Sequence, residues 1–248
     1  MSDDGGRRVA TSAGAMLIGA GSLAPFEAGG EALFSPEFWQ ARGALTPAAR
    51  GRGSAWFIAA QPFDWALRHY RRGGRLAAHI SLDRFLWSGE ARVRSFVEWR
   101  LLDKLQQRGL PVPEPIGARY RRGWFTYRCD LITRRIADAS PLSDLLAADR
   151  LAAAQWRSLG ATIARFHAAG VDHADLNAHN ILLAPGGVFS IIDFDRGRLR
   201  LPGAWRSANL RRLQRSLRKV SATLPGGRYV ASDWHELLAG YGAGAAAG

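Results

Sequence analysis

Cysteine occurs once in the 248 residues, at Cys129, which excludes an internal disulfide and any metal site built on paired cysteines. A reducing compartment is the simplest setting for such a chain. Lysine is nearly absent as well: Lys104 and Lys219 are the only two, although Lys and Arg together number 34 against 21 Asp and Glu. The formal charge of +13 therefore rests on arginine, whose planar guanidinium binds phosphate through two parallel hydrogen bonds. Such an excess favours polyanions: nucleic acid, nucleotides, phosphorylated lipids or an acidic membrane face. Charge alone does not choose among them, and genomic base composition produces the same arginine bias. No apolar run approaches the roughly 20 residues needed to cross a bilayer, so any membrane contact is expected to be peripheral. No repeat of solenoid period is present. The one low-complexity stretch is the Gly- and Ala-rich run at 240–248, which is expected to be disordered from 241 onward.

What is present suffices for a core, with 47% hydrophobic and 10% aromatic residues. Near the start, Arg7-Arg8 followed by an apolar stretch imitates a secretory leader. Asp3 and Asp4 ahead of it, and the Thr, Ser and Gly diluting it, argue instead for a short strand at 15–18 and no cleaved signal. From Phe34 to Arg134 short strand-like segments surround one helix, punctuated by Gly51-Arg52-Gly53, Gly73-Gly74 and the prolines at 111, 113 and 115. After Ser140-Pro141 the period becomes helical, with Leu151, Trp156, Leu159, Ile163 and Phe166 on one stripe and Gly170 as the stop. The expectation is an α+β chain: a small, mostly antiparallel β lobe with one long helix over 1–134, and a larger, mostly helical lobe over 135–240.

The most informative stretch joins Val171-Asp172-His173-Ala174-Asp175-Leu176-Asn177-Ala178-His179-Asn180 to Ile192-Asp193-Phe194-Asp195. Between them, Ile181-Leu182-Leu183 and Val188-Phe189-Ser190-Ile191 flank Pro185-Gly186-Gly187, which is hairpin chemistry. With Gly186-Gly187 as a two-residue loop, Asn180 falls opposite Asp193 at the open end, so an amide oxygen and a carboxylate can share one hard cation. Asp175 lies five residues before Asn180, after the helix, where it can accept a hydroxyl proton. Phosphoryl transfer asks little more of a protein than a metal on the β and γ oxygens and an oriented hydroxyl. Singly, these residues read as turn, cap and strand-end residues. Jointly, His-x-Asp-x-x-x-x-Asn followed by Asp-Phe-Asp across a hairpin points to function.

The pattern resembles the catalytic loop and metal-binding triplet of the protein-kinase-like superfamily, with His173, Asp175 and Asn180 in the loop and Asp193-Phe194 opening the triplet. Two positions depart from it: Asp195 replaces the usual Gly, and Ala174 stands where protein kinases often carry Arg. The chain is more narrowly similar to the bacterial 3-deoxy-D-manno-octulosonic acid (Kdo) kinases. That similarity is carried by Phe34-Ser35-Pro36-Glu37-Phe38-Trp39, Gly51-Arg52-Gly53-Ser54-Ala55-Trp56-Phe57, Leu67-Arg68-His69-Tyr70-Arg71-Arg72-Gly73-Gly74 and His173-Ala174-Asp175-Leu176-Asn177. It runs from near Gly14 to the helical segment before the Gly/Ala tail.

The resemblance implies a nucleotide-binding role for residues 1–134. Gly51, Arg52 and Gly53 would let backbone N–H groups approach phosphates, or would form a plain hairpin turn. Neither lysine lies on the strand that normally carries the phosphate-holding cation, and Arg68 occupies the matching place; alternatively it is a surface arginine. Glu98 shares a helical stripe with Leu101, Leu102 and Leu105, so its carboxylate needs a partner, either Arg68 or Arg94 one turn back. His167, His173 and His179 are spaced by six, unlike a metal pair on one helical face, and His173 is assigned to bracing the catalytic loop. Most tryptophans in the first half are expected in the core.

The resemblance further implies ATP and Mg²⁺ as cofactors, Asp175 as the proton acceptor, Asn180 and Asp193 as metal ligands, and the 4-hydroxyl of Kdo on a lipid A precursor as acceptor. The Arg-rich runs at 68–75 and 196–219 would hold lipid phosphates and the anionic inner leaflet, placing the protein at the cytoplasmic face of the inner membrane. No nucleic acid and no obligate protein partner is expected. Rival readings are a kinase of the same fold for a heptose, an aminoglycoside or a protein; a sugar transferase using Asp193-x-Asp195; and a basic nucleic-acid binder, for which no recognition motif is present.

Overall fold

The computed structural model describes residues 5–48, 55–71, 83–148, 151–224 and 228–246. Gly51, Arg52 and Gly53 lie outside the described residues, as do positions 72–75 of the first arginine run. The chain divides into two compact units, Met1–Lys104 with Pro113–Arg135, and Leu105–Val112 with Ile136–Gly248.

The first unit holds strands β1 (Gly6–Thr11), β2 (Gly14–Gly19), β3 (Leu45–Pro47), β4 (Ala55–Ala60), β5 (Phe63–His69), β6 (Phe85–Leu86), β7 (Pro115–Arg122) and β8 (Thr126–Arg134). They form one antiparallel sheet in the order β1-β2-β7-β8-β5-β4-β3, with β6 also on β8. Residues 15–18, expected as a short strand, are the buried middle of β2. Two short helices that the sequence pattern did not suggest, α1 (Leu23–Gly29) and α2 (Pro36–Gln40), carry Phe26 and Trp39 onto the sheet. α2 starts where it does because the Ser35 hydroxyl accepts from the Phe38 N–H and Pro36 opens the first turn. Trp39 meets Trp65 edge-on at 6.0 Å and donates its indole N–H to the Leu33 carbonyl at 2.8 Å. Helix α3 (Arg94–Gln107) begins in this unit and ends in the second.

The second unit contains the strands β9 (Ser140–Pro141), β10 (Val171–His173), β11 (Ile181–Leu183), β12 (Phe189–Ile191) and β13 (Gly197–Leu199). Its helices are α4 (Leu142–Ala148), α5 (Ala153–Ala168), α6 (Trp205–Ala222) and α7 (Ala231–Ala246). The strands pair antiparallel as β12-β11-β9 and β10-β13. Residues 105–112, expected with the N-terminal segment, group here because Ile191 N–H donates to Pro111 O at 3.0 Å and Arg165 donates to Gly109 O at 2.8 Å.

The Gly- and Ala-rich end corrects the expectation of a disordered tail from 241: α7 continues to Ala246. Low side-chain bulk here serves close backbone packing. A Cβ at Gly240 would lie 2.0 Å from Arg157 O, and one at Gly160 of α5 would lie 2.0 Å from Leu237 O. Glycine at both places lets α5 and α7 approach more closely than any side chain allows. Gly242, on the same helix, would place its Cβ in open space. Gly240→Ala is therefore expected to cost about 1–3 kcal/mol by overpacking, whereas Gly242→Ala should stabilise by about 0.5–1 kcal/mol. Denaturant midpoints moving in opposite directions for the two variants check this.

Candidate active site

Helix α5 ends at Gly170, whose φ of 77° is the left-handed stop that glycine tolerates. The chain then enters β10 and delivers Asp172 and His173 to the interior. Both are buried. Asp172 accepts from Asn209 Nδ2 at 3.0 Å and from Arg200 Nη1 at 3.1 Å, while Arg198 Nε stands 3.4 Å away. Burial pushes the Asp172 carboxyl upward, but the bonds from Asn209 and Arg200 outweigh it and hold the group below its ordinary range. Asn209 also accepts from the His173 N–H at 3.0 Å through Oδ1. One amide thus ties α6 to β10 at both ends.

After His173 the chain turns tightly, Leu176 N–H donating to His173 O at 3.1 Å. This leaves Asp175 exposed, its carboxylate 3.7 Å from Arg212 Nη1 on α6. The Asp175 carbonyl accepts from Asn177 Nδ2 at 2.9 Å and from Asn180 Nδ2 at 3.1 Å. Asn177 in turn accepts from the N–H groups of His179 and Asn180 at 2.9 and 3.2 Å. With its amide nitrogen committed to Asp175, Asn180 is left with an oxygen acceptor at Oδ1. Ser216 and Ser143 hold the far side, Ala178 N–H donating to Ser216 Oγ at 3.1 Å and Ser143 N–H to Ala178 O at 3.1 Å.

The hairpin between Asn180 and Asp193 is present, but its register corrects the expected one. The observed pairs are Ile181 with Ile191, Leu182 with Ser190 and Leu183 with Phe189. Ala184 N–H bonds Val188 O at 3.0 Å, so the loop is the three residues Pro185-Gly186-Gly187 rather than two. Proline followed by two glycines at φ 88° and 83° closes that longer turn. Asn180 consequently faces Ile192, whose N–H reaches Asn180 O at 3.0 Å. Asp193 follows one residue later with φ of 64°, a left-handed conformation that Asp tolerates better than most residues and that redirects the chain.

His173 fixes that bend. Its Nε2 lies 2.9 Å from Ile192 O, and since a carbonyl can only accept, Nε2 carries the hydrogen. The imidazole packs edge-on against Phe194 at 4.7 Å, and Phe194 stacks on Phe166 at 6.1 Å. Nδ1 is buried without a hydrogen-bond partner, and burial lowers the pKa of the ring, which is neutral at pH 7. Asp175, Asn180, His173 and Asp193 are therefore laced into one region of the second unit by bonds that pass through backbone groups.

In the first unit, Arg68 lies on β5, opposite Leu131 of β8 and Ala55 of β4. It forms an ion pair with Glu98 of α3, which is 2% exposed, and the Tyr70 hydroxyl donates to the same carboxylate. Of the two partners open to Glu98, Arg68 is joined to it. Arg94 sits over the rings of Phe85 and Tyr70, at 4.7 and 5.9 Å. On the adjacent strand β8, the buried Asp130 accepts from Arg119 at 2.8 Å. Asp130 titrates below its usual range because His69 and Arg119 overcome the effect of burial.

Three residues of this arrangement escaped the sequence reading. Asn209 occupies the buried stripe Trp205, Asn209, Leu213, Leu217 of α6, and a polar residue at that four-residue spacing was the available signal. Asp172, buried under two arginines, gave none beyond its place next to His173. Arg212 belongs to the Arg-rich run at 196–219 expected to hold lipid phosphates and the anionic leaflet, and nothing in its spacing points it at Asp175.

The lipopolysaccharide kinase (Kdo/WaaP) family model matches residues 36–241. A 3-deoxy-D-manno-octulosonic acid kinase of Stenotrophomonas maltophilia strain K279a is 50% identical over 209 residues, covering 84% of this chain and 81% of the relative. That of strain R551-3 is 51% identical over 190 residues, covering 76% and 75%. The enzyme of the same name from Xanthomonas campestris pv. campestris strain B100 is 48% identical over 209 residues, covering 84% and 81%.

Asn209→Ala leaves Asp172 and the His173 N–H short of a partner and is expected to destabilise the fold by about 1–3 kcal/mol, read from the denaturant midpoint; a change below about 0.5 kcal/mol would contradict the assigned role. His173 has a depressed pKa in the fold and an ordinary one near 6.5 when unfolded. Its contribution is therefore complete above about pH 6.5 and is lost as the pH falls below that value. His167, lowered to about 4 by burial and then by Arg206, acts with the same sign. Ring ¹⁵N NMR is expected to show His173 neutral and protonated on Nε2 at pH 7; a charged ring there would be inconsistent with this assignment.

Proposed function

The chain belongs to the lipopolysaccharide kinase (Kdo/WaaP) family, and we propose that it transfers the γ-phosphate of ATP to the 4-hydroxyl of a Kdo residue on a lipid A precursor. The observation that carries this reading is the lacing of Asp175, Asn180 and Asp193 through Asn180 Nδ2, the Ile192 backbone and His173. A two-lobed, protein-kinase-like arrangement is part of the same proposal.

Asp175 is exposed and carries its carboxylate on a loop whose carbonyl is doubly hydrogen-bonded. It orients the acceptor hydroxyl and takes its proton as the oxygen bonds to the γ-phosphorus and the bond to ADP breaks. Among the described residues no group of three or more His, Cys, Asp or Glu is placed to hold a metal by itself. An amide oxygen from Asn180 and a carboxylate from Asp193 fit Mg²⁺, which keeps several waters and takes phosphate oxygens as further ligands. Held by those two residues, such a cation would supply charge neutralisation for the phosphates of the nucleotide. Arg68, fixed by Glu98 and Tyr70, holds phosphates of the nucleotide with its guanidinium. The role of Gly51, Arg52 and Gly53 in covering the phosphates rests on the sequence.

Arg212 gives this site a cation beside Asp175, suited to an acceptor that is itself an acid. No helix is long and apolar enough to cross a membrane among the described residues. Arg211, Arg215 and Arg218 lie on the exposed face of α6, available to the anionic inner leaflet, each worth about 1 kcal/mol near such a surface. The site of action is then the cytoplasmic face of the inner membrane, with no nucleic acid involved.

Labelled ATP and Mg²⁺ with a Kdo-bearing lipid A precursor test the reaction directly, beside heptose, aminoglycoside and protein acceptors. Asp175→Ala is expected to lose about 10²–10⁴-fold in turnover while nucleotide affinity stays within about threefold; near-parental turnover removes Asp175 from its role. Arg212→Ala should raise KM for the acidic acceptor by about tenfold or more, the worth of a charge-assisted hydrogen bond, with a smaller effect on kcat. An unchanged KM would separate Arg212 from acceptor binding.

A further inference from the structure

The hairpin joining β7 to β8 ends in two aromatic residues whose side chains are largely exposed. Arg122 pairs with Tyr127, and Gly123 N–H bonds Thr126 O at 2.7 Å, so Trp124 and Phe125 are the whole loop. Such loops usually take Asn, Asp or Gly. Here Trp124 is 91% and Phe125 79% exposed. Leu86, 70% exposed, comes alongside because β6 pairs with β8 and Trp87 N–H reaches Phe125 O at 2.9 Å. Three large apolar side chains thus meet at one tip.

The tip is held on a rigid base. Trp87 packs on Tyr120 at 5.3 Å and on Tyr127 at 6.0 Å, and Phe85 on Tyr127 at 5.6 Å. Around it stand arginines. Arg84, Arg121 and Arg122 are exposed, and Arg122 also covers the Trp87 ring at 4.7 Å. The acids nearby are already engaged: Asp83 with Arg128 at 2.6 Å, and Glu90 with Arg8 and Tyr120, each at 2.7 Å.

We infer that this tip is a membrane-docking wedge, with Trp124, Phe125 and Leu86 entering the headgroup region of an anionic phospholipid bilayer and the arginine collar binding its phosphates. Aromatic rings prefer that interface, and cationic side chains beside them favour anionic lipid. A few residues at a protruding turn offer far less than the roughly 800 Å² per side of a stable protein interface, whereas a bilayer accepts a small wedge. The inference deepens the reading that the acceptor is carried by a lipid, but its binding test needs neither acceptor nor ATP.

The full chain is sedimented with phosphatidylcholine vesicles with and without 30 mol% phosphatidylglycerol, beside Trp124→Ser/Phe125→Ser and Arg121→Ser/Arg122→Ser variants. The parent is expected to partition onto the anionic vesicles. The aromatic variant should bind roughly tenfold or more weakly, and the arginine variant should show roughly tenfold weaker, less salt-sensitive binding, the α6 arginines supplying the remainder. Unchanged melting curves would show that both variants fold. Parental binding by the aromatic variant, or no vesicle binding by the parent, overturns the inference. A change in oligomeric state without a change in vesicle partition assigns the tip to a second copy of the chain, and overturns it too. With acceptor in vesicles the aromatic variant should lose turnover that it keeps with acceptor in detergent micelles; equal loss in both formats counts against docking, and no turnover by the parent in either format would refute the kinase reading instead.

Discussion

Asn180 is the constraint on which the candidate site depends. Its Nδ2 donates to the Asp175 carbonyl, its N–H to the Asn177 side chain, and its own carbonyl accepts from Ile192. One residue thereby fixes the loop that carries the acid, the start of the hairpin, and the strand that leads to Asp193. Charged groups alone could not do this. Two carboxylates near one another repel, and without metal their attraction to a common point is absent. Neutral backbone bonds place them before any ligand arrives, so little reorganisation is left for the moment of reaction.

The surroundings extend the same device outward. His173, neutral and buried, holds Ile192 O where the chain bends into Asp193. Asn209 holds His173 and Asp172 from α6, and the same helix presents Arg212 to Asp175. One face of α6 thus supports the loop from within, while an adjacent position supplies charge at its mouth. In the first unit the ion pair of Arg68 with Glu98 has the same economy: the carboxylate is almost wholly buried, and Tyr70 shares it. A buried Glu left without Arg68 would carry an uncompensated charge, so the strand and helix are tied together by the group proposed to meet phosphate.

Much of this was legible in the sequence where a period or a spacing encoded it. Glu98 betrayed its burial by sharing a stripe with leucines. The hairpin was announced by Pro185-Gly186-Gly187. Register was not legible, because both a two-residue and a three-residue loop satisfy that tripeptide, and only the Ala184 to Val188 bond decides between them. The C-terminal helix is not legible because glycine and alanine mean disorder in isolation and close packing against a partner; the partner, Arg157 of α5, lies 83 residues away from Gly240. Asn209 is hidden for a similar reason, since its hydrogen-bond partners are on another element. Non-local pairing was the part that composition and periodicity could not carry.

The central claim is that Asn180 and Asp193 together hold the metal that accompanies ATP. Calorimetric titration of ATP into the parent and into Asp193→Asn and Asn180→Ala variants, with Mg²⁺ and with chelator, tests it most directly. The account predicts that Mg²⁺ strengthens ATP binding by the parent, and that each variant loses this increment while retaining the parent's metal-free affinity. An increment of parental size in both variants would contradict it.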